Sequence, residues 1–130
     1  MASRKIDELL PELQDNYILF REAMTEAGLD FIVTCTYRST EEQAELYAQG
    51  RTKPGRKVTW TLKSKHCERK AFDIAIKKDG SPVWDVKVNV NDNEIPDYEE
   101  AGRIGKSAGL VWGGDWKTPD MPHFQLQEEQ

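Results

Sequence analysis

Four residues of the sequence have the types and the spacing of a metal site with an acid–base group beside it. His66 lies seven positions before Asp73, and Asp120 lies three positions before His123. A catalytic zinc ion takes three protein ligands from histidine, carboxylate or thiolate groups and leaves a fourth position for water. If the loop before Asp73 folds back and His123 enters from a neighbouring strand, these three side chains form a His, Asp, His ligand set. Asp120 is then a spare carboxylate that can take a proton from the attacking water and later protonate a leaving amine.

The same residues also have an ordinary structural interpretation. The chain has two histidines, and a histidine in a globular protein is more often a hydrogen-bonded core or surface residue than a ligand. Cys67, next to His66, is a further candidate ligand as a thiolate. Adjacent residues of an extended segment point to opposite sides, so we expect Cys67 to face away from the site. Spacing alone leaves the metal site and the structural role open.

Hydrophobic periodicity predicts the first elements that must position these residues. Apolar residues at three- and four-residue spacing predict an amphipathic helix from Ile6 to Gly28, with Pro11 in its first turn. The β-branched and aromatic run over residues 31–37 predicts a strand directly after it. The first part of the chain therefore reads as helix followed by strand.

The second helix has a clear start and end. Ser39 with Glu42, or Thr40 with Gln43, has the spacing of a capping box, and Gly50 is expected to end the helix. A loop of basic residues follows up to residue 63.

The segment that contains Asp73 predicts a strand over residues 71–76. Alternation puts Phe72, Ile74 and Ile76 on one face, so Asp73 faces away from the apolar side. The rest of the chain predicts a hairpin turn at 79–80, a third helix over 98–108 capped by Asp97, and two short strands around a Gly- and Pro-rich loop. The expected class is α+β, with helices packed on a small, mostly antiparallel sheet that carries the zinc site.

Composition limits the possible partners. The 130 residues include 18 Lys and Arg against 23 Asp and Glu, a formal net charge of −5. An acidic chain is not expected to bind nucleic acid broadly through its phosphates. The length suits one catalytic domain over residues 1–130 without a disulfide framework, since Cys35 and Cys67 lie in different segments. We expect a monomer.

Basic residues concentrate in the stretch 51–70, where Glu68 is the one acid among eight Lys and Arg. Such a run usually forms a solvated loop. It also suits contact with an anionic polymer. A nucleic-acid-binding domain that used this stretch would show a steep salt dependence of binding.

The N-terminal residues lack the apolar core of a signal peptide, and no run is long enough to cross a bilayer. We therefore expect a protein that is made in the cytosol and does not insert into the membrane.

The four tryptophans suggest either a surface for stacking saccharide or peptide, or ordinary core packing. We expect Trp84 to lie in the core and Trp116 to form a wall of the substrate groove, and we leave Trp60 and Trp112 open.

The sequence resembles the zinc peptidoglycan peptidases, which include D-alanyl-D-alanine carboxypeptidases and phage L-alanyl-D-glutamate endopeptidases. Their signature is S-x-H-x-x-G-x-A-x-D, followed late in the chain by an acid three positions before a histidine. The matching residues here are Ser64, His66, Ala71, Asp73, Asp120 and His123. The segments 36–55 (TYRSTEEQAELYAQGRTKPG) and 111–116 (VWGGDW) are also similar to the family. Four segments in the correct order are far more specific than any one of them.

The resemblance implies a role for each of these residues. It implies that His66, Asp73 and His123 bind zinc and that Asp120 is the catalytic base and acid. It also implies that the guanidinium of Arg38 steadies the negative oxygen of the tetrahedral intermediate, where a permanent charge with several donors is suitable.

Two positions of the signature, Ser64 and Arg69, have a less direct relation to the family pattern. Ser64 resembles the family serine that binds substrate beside the metal, although a serine before a strand can also cap a turn. Arg69 stands where the family has glycine, and a non-glycine residue with positive φ costs about 1 kcal/mol or somewhat more. This difference affects the expected path between the first two ligands and not their identity.

The function implied is a zinc peptidase that cuts the stem peptide of bacterial peptidoglycan. Overall similarity to short phage lysins favours the bond between L-alanine and D-glutamate and a role as a phage endolysin that reaches the wall after a separate pore opens the membrane. The alternatives are a D,D-carboxypeptidase on D-Ala-D-Ala termini, and a catalytically inactive, zinc-stabilised module that binds the cell wall.

Overall fold

A five-stranded antiparallel sheet with three helices forms the described part of the chain. The computed structural model describes residues 2–59 and 61–128. In chain order the elements are α1 (Pro11–Glu26), β1 (Phe31–Cys35), α2 (Thr40–Ala48), β2 (Ala71–Lys78), β3 (Ser81–Val83), α3 (Asp97–Ser107), β4 (Leu110–Trp112) and β5 (His123–Leu126). Short 3-10 helices cover Ile6–Glu8, Lys65–Glu68 and Gly113–Asp115. The strand order is β1-β2-β5-β4, and β3 pairs with β2. The expected α+β class is confirmed.

The sheet has one apolar face, which α1 and α3 cover. Alternation along β2 points Phe72, Ile74 and Ile76 into the core, where all three are fully buried. The helices contribute further core residues on the same side, namely Leu13, Tyr17, Phe20, Met24, Tyr98 and Ala101. The opposite face of β2 and β5 is left for the polar side chains.

A stacked pair of aromatic rings fixes the register between β2 and β5. Phe72 pairs with Phe124 across the ladder, and their ring centroids lie 5.5 Å apart at 14°. A slip of either strand by one residue would move its ring from the core to the polar face, so burial specifies this register strongly. The same register places Asp73 directly opposite His123.

The first helix begins later than the periodicity predicts. Residues 6–8 form a separate 3-10 turn, and α1 starts at Pro11. A proline disfavours helical dihedrals in the residue before it, and Leu10 has ψ of 145°. Pro11 therefore occupies the first helical position, where its missing N–H is not needed. Leu9 still reaches the core.

The second helix begins as predicted. Ser39 accepts a hydrogen bond from the backbone N–H of Glu42, and the Glu42 carboxylate accepts one from the N–H of Ser39. The helix ends at Ala48, and Gly50 follows with φ of 79°.

The strand before α2 is shorter than predicted. It ends at Cys35, and its pairing with β2 shifts between Val33 and Cys35. This β-bulge bends the strand and releases Thr36 and Tyr37 from the ladder.

Two predictions in the β3–α3 region are wrong. Asp97 is the first residue of α3 and not its N-cap, and its carboxylate accepts a hydrogen bond from the N–H of Val90 instead. Trp84 is 57% exposed. Because β3 ends at Val83, strand alternation no longer directs the Trp84 ring toward the core.

No helix within residues 2–59 and 61–128 is long and apolar enough to cross a bilayer. Both cysteines are free thiols. Trp60 lies outside the described residues.

Candidate active site

Three of the predicted site residues meet on the polar face of the sheet. Asp73 on β2 and His123 on β5 are cross-strand neighbours, and Asp73 Oδ1 lies 2.9 Å from His123 Nδ1. His66 Nε2 lies 3.2 Å from the same oxygen. The ring centroids of the two histidines are 5.2 Å apart. One carboxylate oxygen therefore faces a ring nitrogen of each histidine.

A tight 3-10 turn delivers His66 to the sheet. Ser64 caps this turn by accepting a hydrogen bond from the N–H of His66, and Arg69 closes it in the left-handed region with φ of 62°. The imidazole is 3% exposed. Its Nδ1 donates to the backbone oxygen of Thr36, the residue directly after β1, at 2.8 Å.

The contacts of His66 leave its other nitrogen without a hydrogen bond. Once Nδ1 holds the proton for Thr36, the Nε2 of a neutral ring presents a lone pair. This atom is buried and has no hydrogen-bond partner in the structure. Its approach to Asp73 is within ion-pair distance, yet the orientation does not make a hydrogen bond. In the neutral ring that a metal ligand requires, this nitrogen would offer its buried lone pair to a metal ion beside the Asp73 carboxylate.

His123 is oriented by a residue two positions further along the same strand. Its Nε2 lies 2.9 Å from Oε1 of Gln125, which can only accept. With its proton on Nε2, the ring would offer the Nδ1 lone pair to a metal ion; without a metal, Nδ1 faces the Asp73 carboxylate, which only accepts. Hydrogen bonds of this kind from the second nitrogen fix the ring of a metal-binding histidine.

The donor set therefore fits a zinc ion. His66 Nε2, Asp73 Oδ1 and His123 Nδ1 are two nitrogens and one oxygen of the types that catalytic zinc binds.

Cys35 offers a different third ligand, since its sulfur forms a cluster with His66 and Asp73. The sulfur lies 3.5 Å from Nδ1 of His66, however, and that nitrogen already serves the Thr36 carbonyl. The free Nε2 favours the set that includes His123.

The electrostatics of the three residues are strongly coupled. Burial lowers the pKa of His66, but its contacts with Asp73 and Cys35 outweigh burial and raise it to about 10. Burial raises the pKa of Asp73, but the two imidazoles outweigh it and hold the pKa well below its ordinary value. Asp73 is thus a carboxylate at neutral pH, as a ligand must be.

Asp120 lies on the loop between β4 and β5, close to this centre. Its pKa is raised, first by desolvation and then by the negative charge of Asp73, while His123, His66 and Arg38 lower it. The residue as a whole is exposed, so the desolvation reflects the cleft walls around its carboxyl group. A carboxylate with a raised pKa is better matched to proton transfer near neutral pH.

Gly113 allows the Asp120 loop to approach β5 closely. The N–H of Asp120 donates to the oxygen of Gly113 at 2.9 Å. A Cβ on Gly113 would lie 2.5 Å from the backbone oxygen of Asp120 and 3.0 Å from Cβ of His123. The far end of the loop is held by Trp112, whose indole N–H donates to the oxygen of Met121 at 2.8 Å.

Arg38 is held at the edge of the site by two buried groups. Its guanidinium donates to Oε1 of Gln43 at 2.8 Å and to the sulfur of Cys35 at 3.4 Å. Gln43 is fully buried and also donates to the oxygen of Thr61 at 2.7 Å. The guanidinium is thus tied to α2 and to the loop that follows it.

These groups line one open cleft with a volume of about 960 Å³. Its walls include Arg38, Ser64, Trp116, Asp120 and the three residues of the proposed metal site. Trp116 is 39% exposed, and its ring centroid lies 5.0 Å from that of His123. Ser64 both caps the His66 turn and faces the cleft, so the two roles considered for it are compatible.

Arg69 and Cys67, on either side of Glu68, have different surroundings. Arg69 adopts the positive φ that favours glycine, so the turn keeps its path. Its guanidinium donates to the carboxylate and the backbone oxygen of Glu8 and lies 4.0 Å from the centroid of the Tyr37 ring. Cys67 lies in a 3-10 turn and not in an extended segment, and its sulfur faces the oxygen of Ser39 instead of the site.

Several supporting residues escaped the sequence reasoning. Gln125 could have been found, because period-two alternation puts it on the same face as His123. No sequence pattern indicates that Cys35 and Gln43 contact Arg38. The Thr36 carbonyl is a backbone group exposed by a bulge, which no side-chain pattern reveals.

Comparisons with known proteins give relatives over nearly the whole chain. A family model described as D-alanyl-D-alanine carboxypeptidase matches residues 57–126. The chain is 41% identical over 123 residues to the peptidoglycan L-alanyl-D-glutamate endopeptidase CwlK of Bacillus subtilis strain 168, covering 92% of this chain and 74% of that protein.

Two solved structures share the fold. The L-Ala D-Glu endopeptidase ChiX of Serratia marcescens has a TM-score of 0.73 at 24% identity, covering 98% of this chain and 89% of that one. The LD-carboxypeptidase LdcB has a TM-score of 0.69 at 15% identity, covering 91% of this chain and 58% of that one.

Proposed function

Because the chain belongs to the peptidase family described as D-alanyl-D-alanine carboxypeptidases, we propose that it hydrolyses the stem peptide of bacterial peptidoglycan at the bond between L-alanine and D-glutamate. Family membership makes the chain a peptidoglycan peptidase. The choice of bond rests on the 41% identity to an endopeptidase named for this bond. The alternative, a carboxypeptidase, is favoured by the description of the family.

We propose His66, Asp73 and His123 as the ligands of a zinc ion. The supporting observation is the buried, unpartnered Nε2 of His66 beside Asp73. When bound, zinc supplies Lewis acidity toward a carbonyl oxygen and a water that ionises near neutral pH. The Thr36 carbonyl and Gln125 hold the two rings with their other nitrogens toward Asp73.

Asp120 is the proposed general base and acid. Its carboxylate would take the proton of the attacking water and give it to the amine of D-glutamate as that amine leaves. The raised pKa of Asp120 favours the second transfer, because a more basic carboxylate keeps the proton long enough to pass it on.

Arg38 is the proposed stabiliser of the negative charge that develops on the carbonyl oxygen. Its contacts with Gln43 and Cys35 orient the guanidinium before substrate arrives, which is the preorganisation such stabilisation requires. Ser64 and Trp116 are the proposed substrate contacts on the cleft wall.

Cations around the cleft suit a stem peptide that carries carboxylates. Lys63, Lys65 and Lys117 line it together with Arg38. Lys65 is engaged by Glu128 at 2.6 Å, whereas Lys63 and Lys117 have no ion pair with any described residue. These two lysines remain available to an anionic substrate.

The test is mass spectrometry of fragments released from purified peptidoglycan by three samples: the enzyme as isolated, the chelated enzyme and the enzyme with zinc restored. We expect zinc-dependent release of stem peptides with a new D-glutamate amino terminus. Release of free D-alanine would replace the endopeptidase with a D,D-carboxypeptidase. Zinc binding without any release would favour a cell-wall-binding module.

A role as a phage endolysin is a further part of the proposal, supported by the resemblance to short phage lysins. It requires that enzyme made inside a bacterium causes lysis only when a separate pore opens the membrane. Expression with and without a pore-forming protein tests it, and lysis at the same rate in both cases would contradict it.

A further inference from the structure

The loop between β3 and α3 gathers oxygen-bearing side chains at a regular spacing. Counted from residue 89, the first, third, fifth, ninth and twelfth positions are Asn89, Asn91, Asn93, Asp97 and Glu100. A twelve-residue calcium loop that leads into a helix uses side chains at these positions and a backbone carbonyl at the seventh, here Ile95. The peptidase site uses none of these residues.

Two buried oxygens in this loop have no hydrogen-bond partner among the residues that the structure describes. Asp97 is fully buried; its Oδ2 accepts from the N–H of Val90 at 2.7 Å, while Oδ1 accepts no hydrogen bond. Oδ1 of Asn91 is also buried and without a partner. A buried carboxylate oxygen that accepts no hydrogen bond costs folding free energy. A cation bound by these oxygens would remove that cost.

The side chains at the third and fifth positions of the span already contact the side chain at the twelfth. Asn91 Nδ2 donates to Oε1 of Glu100 at 3.0 Å, and Asn93 Nδ2 donates to the same oxygen at 2.6 Å. The backbone N–H of Asn93 donates to Oδ1 of Asn89 at 3.2 Å. The loop is thus curled with its first, third, fifth and twelfth positions in contact.

Like charges in the loop also favour the binding of a cation. Burial, and then the negative charge of Glu100, raise the pKa of Asp97 above its ordinary value. A divalent cation between the two carboxylates would turn this repulsion into attraction.

We propose that residues 89–100 bind one divalent cation of the calcium class, with Asp97, Glu100 and the side-chain oxygen of Asn91 among its ligands. Oxygen-only ligands in a flexible loop suit calcium better than magnesium, which requires near-ideal octahedral geometry. Two carboxylates are few, and residue 94 is Glu where such loops usually have glycine. The site is therefore weak, with a dissociation constant on the order of 10⁻⁴–10⁻³ M.

Binding would stabilise the junction between the helices. Asn91 Nδ2 also donates to the oxygen of Ala27 at the end of α1, and Glu100 lies on α3. A cation that orders Asn91 and Glu100 holds these two ends together. The inference is independent of the peptidase activity proposed above.

The test is calorimetric titration of calcium into the zinc-loaded protein, together with thermal unfolding. Zinc stays bound so that the peptidase site is filled. We expect one calcium site per chain and a rise in melting temperature of about 5 °C at ten times the dissociation constant. Magnesium should give a smaller rise.

Three variants make the result specific. Glu100→Gln should weaken calcium binding at least tenfold. Glu99→Gln, on the same turn but paired with Arg103 on the surface, is the matched control and should leave binding unchanged. Asn89→Asp adds a carboxylate at the first position and should tighten binding about tenfold.

The competing explanation is that the asparagine amides hold the loop without any cation. In that case about 10 mM calcium, ten times the weakest constant of such sites, leaves the melting temperature unchanged. Asn89→Asp would then only destabilise, because its amide donates to the oxygen of Asn93. Either result, or equal weakening by Glu99→Gln and Glu100→Gln, would overturn the proposal.

Discussion

The carboxylate of Asp73 and the imidazole of His123 lie 2.9 Å apart, although 50 positions separate them along the chain. The ladder between β2 and β5 makes them neighbours, and the stacked rings of Phe72 and Phe124 keep that ladder in register. A pair that depends on strand pairing in this way exists only in the folded sheet. Metal binding at this site therefore reports on folding.

Asp120→Asn should lower kcat about 10³-fold, because it removes the carboxylate that transfers the proton, while zinc stays bound. The measurement is fragment release from peptidoglycan together with zinc content. Asp115→Asn is the control on the same loop, since Asp115 is exposed and pairs with Lys106. A variant at position 120 that keeps more than about a tenth of the wild-type rate would remove Asp120 from the proposed role.

Gln125→Leu should weaken zinc binding about 10- to 100-fold, since His123 loses the acceptor that orients its ring. Competition with a chromophoric chelator measures the affinity. Gln127→Leu changes an exposed glutamine two positions further along and should have no effect. Equal affinity in the two variants would contradict the orienting role.

Arg69→Gly should be more stable than Arg69→Ala by about 1 kcal/mol. Both variants lose the contacts with Glu8 and Tyr37, but only glycine relieves the positive φ. Urea unfolding gives the two free energies. If they are equal, the turn before β2 does not require the left-handed conformation.

The metal-free protein should lose stability as the pH rises from about 6.5 toward 10. The folded pKa of His66 is raised from 6.5 to about 10, so its contribution is fully present below pH 6.5 and is lost as the pH rises through the folded value. Thermal unfolding of chelated protein over this range, compared with His66→Gln, isolates the contribution. If the melting temperatures of the two proteins change with pH by the same amount, His66 does not provide this contribution.

Strand periodicity accounts for much of what the sequence predicted. Alternation in β2 separates Asp73 from Phe72 and Ile74, and that separation places a carboxylate opposite the core. The capping box at Ser39 and the turn at Asp79 and Gly80 are local patterns, and the structure contains both.

The remainder depends on contacts that local patterns do not encode. The cleft depends on a backbone carbonyl at Thr36 and on the close approach of Gly113 to Asp120. Each requires a partner that is distant in sequence or a backbone group without a side-chain signature. The prediction that Trp84 is buried was wrong for a related reason, because nothing in the sequence shows that β3 ends one residue before it.

The bulge in β1 has a consequence for how this site tolerates change over evolution. Cys35 faces Asp73 only because one extra residue is accommodated between Val33 and Cys35. Side chains alternate along a strand, so deleting one residue there would move Cys35 to the opposite face and shift Thr36 and Arg38 by one position along the chain. Substitutions in this stretch alter one contact each, whereas a single-residue insertion or deletion displaces the cysteine, the Thr36 carbonyl and the guanidinium together. Active relatives should therefore keep the number of residues between Val33 and Arg38.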